Sequence, residues 1–337
     1  MRTQILPVQL NSPSGRAAIA KAADMIQSGQ LVGFPTETVY GLGADALQAA
    51  AVARIFAAKG RPADNPLIAH VCSLEMAEPL ADFTPLAARL AERYWPGPLT
   101  LVLPRRPLVP DIVSAGLPTV ALRFPSHAIA KALIETAATP IAAPSANLSG
   151  RPSPTLAAHV YEDMADKIPL ILDGGPVQIG LESTVVDARG RYPILLRPGQ
   201  ISAEELAELA GDCLYPTAGS VERPAAPGMK YRHYAPSALV YLAADSSEAL
   251  LIAARLPARP LFLVSVETAA ELAASGIAAN RLRPLFKRRD LAPYAQGIFA
   301  ALRAADTEGE QYIVAEKVAE RGLGRAIMNR LTKAAAG

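Results

Sequence analysis

Short apolar runs alternate with helix-patterned segments along this 337-residue chain, and one aperiodic stretch, residues 216–237, interrupts them. That alternation restricts the fold more than any single residue does, because strands separated by helices are the mark of an α/β sheet. In the first region the strand-like runs are 31–34, 67–72, 99–103, 119–124, 140–143, 170–172, 182–187 and 193–199. Helices are predicted from Pro13 with Ser12 as cap, from Asp45, over 84–94, over 126–137, and from a capping box at Ser202-Ala-Glu-Glu205. Beyond Ala238 the alternation is cleaner. Strands over 239–242, 260–266, 282–286 and 312–315, with helices centred on Leu250, Ala270, Phe299 and Ile327, predict a smaller parallel, Rossmann-like α/β domain. The division is therefore 1–215, a connection 216–237, and 238–337, in keeping with ~150 residues per domain.

The connection is more than a spacer. Pro216, Pro224, Pro227 and Pro236 flank Gly228-Met-Lys-Tyr-Arg-His-Tyr-Ala235, and long linkers between compact units are often functional. Hydrophobic residues make up 51% and charged residues 19%, a globular composition. No apolar run approaches the ~20 residues of a membrane span, and Met1-Arg-Thr-Gln4 holds no signal-peptide core. Cys72 and Cys213 form no C-x-x-C pair, so two buried reduced thiols in a cytoplasmic protein are expected. The net charge of +2 divides unevenly: residues 1–215 carry 17 Lys and Arg against 20 Asp and Glu. A mildly acidic first region argues against a broad nucleic-acid-binding face.

Common catalytic signatures are absent. There is no G-x-x-x-x-G-K-[ST] and no G-x-S-x-G, no G-x-G-x-x-G opens the second region, and His70, His127, His159 and His233 lack metal-ligand spacing. Polar residues gather instead where strands end: Thr36 and Thr38, the segment Lys59-Gly-Arg-Pro-Ala-Asp-Asn65, Arg123, Ser145 and Asn147, Ser183, and Arg197. Pro62 and Pro66 hold the backbone around Lys59 and Arg61, and two cations so placed suit a phosphate. Arg123 lies among apolar neighbours, so an acidic side chain or an anionic ligand should meet it. Open α/β sheets bind ligands outside the carboxyl ends of their strands, where one cavity can collect such groups. A site rich in cations and hydroxyls, without a strong base or nucleophile, suits fixed-charge stabilisation of a transferring phosphoryl or nucleotidyl group.

Taken together, Pro35-Thr-Glu-Thr-Val-Tyr-Gly-Leu-Gly43, Lys59-Gly-Arg61 with Asn65-Pro66, Leu122-Arg123, Pro144-Ser-Ala-Asn147 with Ser149-Gly150, and Glu182-Ser-Thr184 resemble the YrdC-like fold. With the second region joined through Lys230-Tyr-Arg-His-Tyr-Ala-Pro236, the whole chain resembles the two-domain threonylcarbamoyl-AMP synthases. The resemblance implies a twisted open mixed sheet followed by the Rossmann-like domain. It also implies a nucleotidyltransferase that makes L-threonylcarbamoyl-adenylate and pyrophosphate from L-threonine, bicarbonate and ATP, for N6-threonylcarbamoyladenosine in tRNA. Carried over by motif, Lys59, Arg61, Ser145 and Asn147 form the Lys-x-Arg…Ser-x-Asn catalytic tetrad. Thr38, His70, Arg123, Ser145 and Ser183 would hold L-threonine. Arg61, Asn65, Thr119, Asn147, Thr155, Arg197 and Tyr234 would hold ATP, with Ser153 not separable from Thr155, and the connection would close as a lid. Mg²⁺ would arrive with ATP, with no permanently bound cofactor and no side-chain metal motif. tRNA and a downstream threonylcarbamoyl-transferase complex are the further partners implied. Two alternatives are an RNA-binding, translation-associated protein without catalysis and carbamoyl-adenylate chemistry of a hydrogenase-maturation type.

Overall fold

The computed structural model describes residues 2–216 and 234–336. Its elements begin with β1 (Gln4–Pro7), α1 (Pro13–Gln27), β2 (Val32–Phe34), β3 (Gly41–Asp45), α2 (Ala49–Lys59), β4 (Ile68–His70) and α3 (Leu74–Ala77). There follow α4 (Pro85–Tyr94), β5 (Leu99–Pro104), α5 (Asp111–Ser114), β6 (Thr119–Arg123), α6 (Ala128–Ala137), β7 (Ile141–Ala142) and α7 (Ala157–Met164). Then come β8 (Leu170–Asp173), β9 (Thr184–Asp187), β10 (Ile194–Arg197) and α8 (Ala203–Ala210). After the connection lie β11 (Leu239–Ala243), α9 (Ser246–Arg255), β12 (Leu261–Ser265), α10 (Val266–Ala274), β13 (Leu282–Phe286), α11 (Ala292–Thr307), β14 (Tyr312–Glu316) and α12 (Leu323–Ala335).

The described residues form two compact units. One holds the chain up to Ser149, Pro154–Gln178 and the described residues from Glu182 on; the other is built on the C-terminal region and takes in Gly150–Ser153 and Ile179–Leu181. In the first unit a ten-stranded mixed sheet runs in the order β1-β8-β2-β3-β7-β4-β6-β5-β9-β10. Side chains alternate across it: Val32, Phe34, Leu170 and Leu172 pack with α1 and α6, whereas Leu31 and Ile171 belong to the cluster of α2 and α4. The second unit has four parallel strands in the order β11-β14-β12-β13. The second sheet is the parallel one that the alternation predicts, and the first is the mixed sheet that the resemblance implies, with β1 and β3 added to the strands read from the sequence.

Several local expectations need correction. Residues 41–45 are a strand, β3, antiparallel to β2, where no strand is predicted. A Cβ on Gly43 would stand 2.8 Å from both Ile141 and Phe34, so glycine is required by close packing beneath the Phe34 ring. The second helix accordingly starts at Ala49, not Asp45; the Asp45 carboxylate accepts from the Leu47 N–H at 2.8 Å and bends the chain out of β3. β1 and α7 were not anticipated. Cys213 is buried, but Cys72 is half-buried rather than buried, and both are free thiols. Trp95 acts as a packing anchor, its indole donating to Leu99 O at 2.8 Å and its ring edge-on to Phe83. Of the stretch 216–237 read as linker and lid, residues 217–233 lie outside the described residues.

Candidate active site

Parallel pairing of β4 with β6 sets His70 beside Arg123, and antiparallel pairing of β5 with β6 sets Thr100 on the other side of Arg123. One polar row therefore crosses the strand ends. The Thr100 hydroxyl is 2.8 Å from that of Ser183, and Ser183 Oγ accepts from Arg197 Nη2 at 3.1 Å. Arg197 Nε also donates to Ser183 O at 3.1 Å, so the arginine fixes both the side chain and the backbone of Ser183.

Arg123 is buried, and its partner is Glu37, whose Oε1 is 2.7 Å from Nη2. Of the two partners expected for this arginine, the acidic side chain is thus present within the protein. Nη1 donates to Thr38 Oγ1 at 2.9 Å, and Thr38 Oγ1 is 2.8 Å from Thr36 Oγ1. Glu37 carries no assignment in the sequence reading. The signal existed in the requirement of Arg123 for an anion and in the single carboxylate of Pro35-Thr-Glu-Thr38.

His70 is neutral. Burial and then the neighbouring Arg123 charge push its pKa down to about 3. Its Nδ1 is 3.3 Å from Ile141 O. A carbonyl only accepts, so that nitrogen carries the proton in this contact and Nε2 keeps its lone pair.

Lys59 closes α2, whose C-terminal carbonyls favour a cation. It is buried, and its ammonium donates to Ser145 O at 2.5 Å and to Asn147 O. Ser145 Oγ donates to Asn147 Oδ1 at 2.5 Å, and Asn147 Nδ2 to Leu148 O. Three of the four tetrad members are therefore joined by hydrogen bonds. Arg61 lies two residues on; its Nε donates to Asn65 O at 3.2 Å and its Nη2 to Pro66 O at 2.9 Å, tying the proline-braced loop to itself. Asn65 is buried, and its Oδ1 has no hydrogen-bond partner among the described residues.

The remaining candidates stand farther along. Thr119 starts β6, four residues from Arg123 and hence roughly 13 Å away along the strand. Thr155 is buried with its Oγ1 3.4 Å from His159 Nδ1, and Ser153 is buried as well. The Tyr40 N–H donates to Pro154 O while Tyr40 O accepts from the Ala146 N–H, which ties the 154–155 segment to the Ser145–Asn147 turn. Tyr234 belongs to the second unit, where its ring stacks on Phe299 at 5.2 Å under the Arg330 guanidinium.

Comparison with known proteins gives this constellation its context. The family model described as telomere recombination, which covers Sua5, YciO and YrdC proteins, matches residues 24–199, and that of the threonylcarbamoyl-AMP synthase C-terminal domain matches 201–336. The threonylcarbamoyl-AMP synthase of Pyrococcus abyssi is 49% identical, over 93% of this chain and 92% of that one. The chain belongs to the threonylcarbamoyl-AMP synthase family. The Bacillus subtilis member is 45% identical over 95% and 93% of the two chains. A crystal structure of P. abyssi Sua5 complexed with L-threonine superposes with a TM-score of 0.86 at 46% identity, covering 99% of this chain and 98% of that one. The expected family, fold and enzyme class are borne out. Membership favours adenylate synthesis over both the RNA-binding and the hydrogenase-maturation alternatives.

Proposed function

We propose that the protein condenses L-threonine, bicarbonate and ATP into L-threonylcarbamoyl-adenylate and pyrophosphate. The observation that carries this reading is the row formed by neutral His70, Arg123 and the Thr100–Ser183 hydroxyl pair. An amino acid needs a cation for its carboxylate and neutral acceptors for its other polar groups. Arg123 supplies the first, and Nε2 of His70 with the Thr38 and Ser183 hydroxyls supplies the second.

The threonine amine attacks bicarbonate, water leaves, and a carbamate results. A carbamate oxygen then attacks the α-phosphorus of ATP, and pyrophosphate departs with the electron pair of the broken P–O bond. Lys59, which also holds the Ser145–Asn147 turn, and Arg61 offset phosphate charge, while Asn65, Thr119, Asn147, Thr155, Arg197 and Tyr234 position the nucleotide. The unpartnered Oδ1 of buried Asn65 supports a ligand donor there. Residues 216–237, bearing Tyr234, would close over the intermediate and exclude water.

Among the described residues no group of three or more His, Cys, Asp or Glu could hold a metal ion. Mg²⁺ would arrive as an ion carried by ATP phosphates, which suits its preference for substrate and water oxygens, and it would supply charge neutralisation there. The product is a mixed anhydride, consumed by a transferase that acylates an adenosine of tRNA. Two free thiols favour the cytoplasm. No helix among the described residues is long and apolar enough to cross a membrane.

Pyrophosphate release with ATP and Mg²⁺ should require both L-threonine and bicarbonate and stop on chelation. Release that ignores either co-substrate would refute the reaction.

A further inference from the structure

Glu37 has a side-chain exposure of 3% and faces Arg123, itself at 4%, across 2.7 Å. The contact is a close, buried ion pair at hydrogen-bonding distance, so it engages one of the two Nη2 protons. Burial raises the Glu37 pKa, but the Arg123 guanidinium, joined by the backbone N–H groups of Glu37 and Ser126, outweighs this and holds the carboxyl below its ordinary value, so it is ionised. The other guanidinium nitrogens are held from different segments: Nη1 by Thr38 Oγ1 and Nε by Gly97 O at 3.3 Å. Nε has one proton, spent on Gly97, so an incoming anion must be met by Nη1 and Nη2.

We propose that Glu37 is a positioning residue for L-threonine, anchoring the Arg123 guanidinium through one Nη2 proton while leaving the other for the substrate carboxylate. The proposal rests on the reading of Arg123 as the partner of that carboxylate. Three contacts, from Glu37, Thr38 and Gly97 O, would then fix the fork before substrate arrives, so little ordering is lost on binding. Without Glu37, the empty site would hold an unpaired buried cation, which favours displacement of the side chain.

The test uses the full-length enzyme and reads KM for L-threonine at saturating ATP and bicarbonate. Glu37→Gln keeps the shape and removes the charge; threonine KM should rise about tenfold or more while KM for ATP holds. Glu37→Asp should show a smaller rise. Arg123→Lys should also raise threonine KM, and Glu37→Gln combined with it should be no worse than Arg123→Lys alone, because both act on one contact. A purely structural Glu37 would instead add its effect and would lower stability without selectivity for threonine. A folded Glu37→Gln enzyme with unchanged threonine KM overturns the assignment, as does additivity of the two substitutions. Unchanged threonine KM in Arg123→Lys would overturn the underlying reading of Arg123 too, which separates the two failures. If neither Glu37 variant folds, Glu37 is structural and the positioning role is lost.

Discussion

Lys59 joins two roles that its place in the primary structure keeps apart. A lysine two residues before Arg61 suggests a phosphate-facing charge, but its ammonium also donates to two carbonyls of the Ser145–Asn147 turn. Lys59→Ala should therefore lower turnover by about 10²–10³ and also destabilise the fold by about 1–3 kcal/mol per abandoned carbonyl. Pyrophosphate release and thermal unfolding read the two effects separately; an unchanged midpoint would mean that the carbonyl contacts are incidental. His70 offers a pH test. Its folded pKa of about 3 lies below the ordinary imidazole value of 6.5, so the unfolded chain takes up the proton first as pH falls. Its contribution is fully present above pH 6.5 and is lost between there and about 3, at roughly 1.4 kcal/mol per pH unit. Glu37, lowered from 4.5, adds loss in the same direction only in more acid solution. His70→Gln should thus flatten part of the stability profile between pH 6.5 and 4.5, leaving the share of His127, whose pKa is lowered by burial in the same way. Denaturant midpoints across that window would show it, and an unaltered slope would mean His70 is protonated in the folded protein.

Helix starts with a side-chain oxygen and a favourable first turn are local events, and they were partly legible. Ser12 before Pro13 caps as expected; Thr84, expected inside its helix, is the cap before Pro85, and the cap expected of Ser126 does not form, the helix starting at Ala128 after His127. The Ser202–Glu205 capping box forms in full, the Ser202 hydroxyl accepting from the Glu205 N–H and the Glu205 carboxylate accepting from the Ser202 N–H. Ser202→Ala should cost about 1 kcal/mol, seen as a lower unfolding midpoint with substrate KM values unchanged. The short elements were not legible. β3 carries glycines because Phe34 and Ile141 press on it, and those residues are remote in sequence. β1 is a largely exposed strand at the sheet edge and has no continuous apolar run to announce it.

At the scale of the molecule, the four C-terminal strands pair in parallel, each preceded or followed by its helix, as a repeated β–α pattern requires. The first unit is held instead by distant pairings such as β1 with β8 and β5 with β9. That unit also carries its own hydrophobic clusters, on both faces of its sheet. A chain ending at Pro216 should accordingly unfold in one cooperative transition by circular dichroism. A broad, non-cooperative melt would show that the first unit needs the rest of the chain.

The alternation of strands and helices, the cap signals and the clustered cations follow from local periodicity and residue chemistry, so they could be read along the chain, as could the need of Arg123 for an anion. Which anion meets it, which carbonyls Lys59 binds and the neutral state of His70 depend on register across β4, β6 and β7 and on burial. Those are properties of contacts between segments as far apart as residues 37 and 123, and no window of sequence contains them. The two-cation loop at 59–65 thus keeps its suitability for phosphate, while its lysine gains a second task from the turn packed against it.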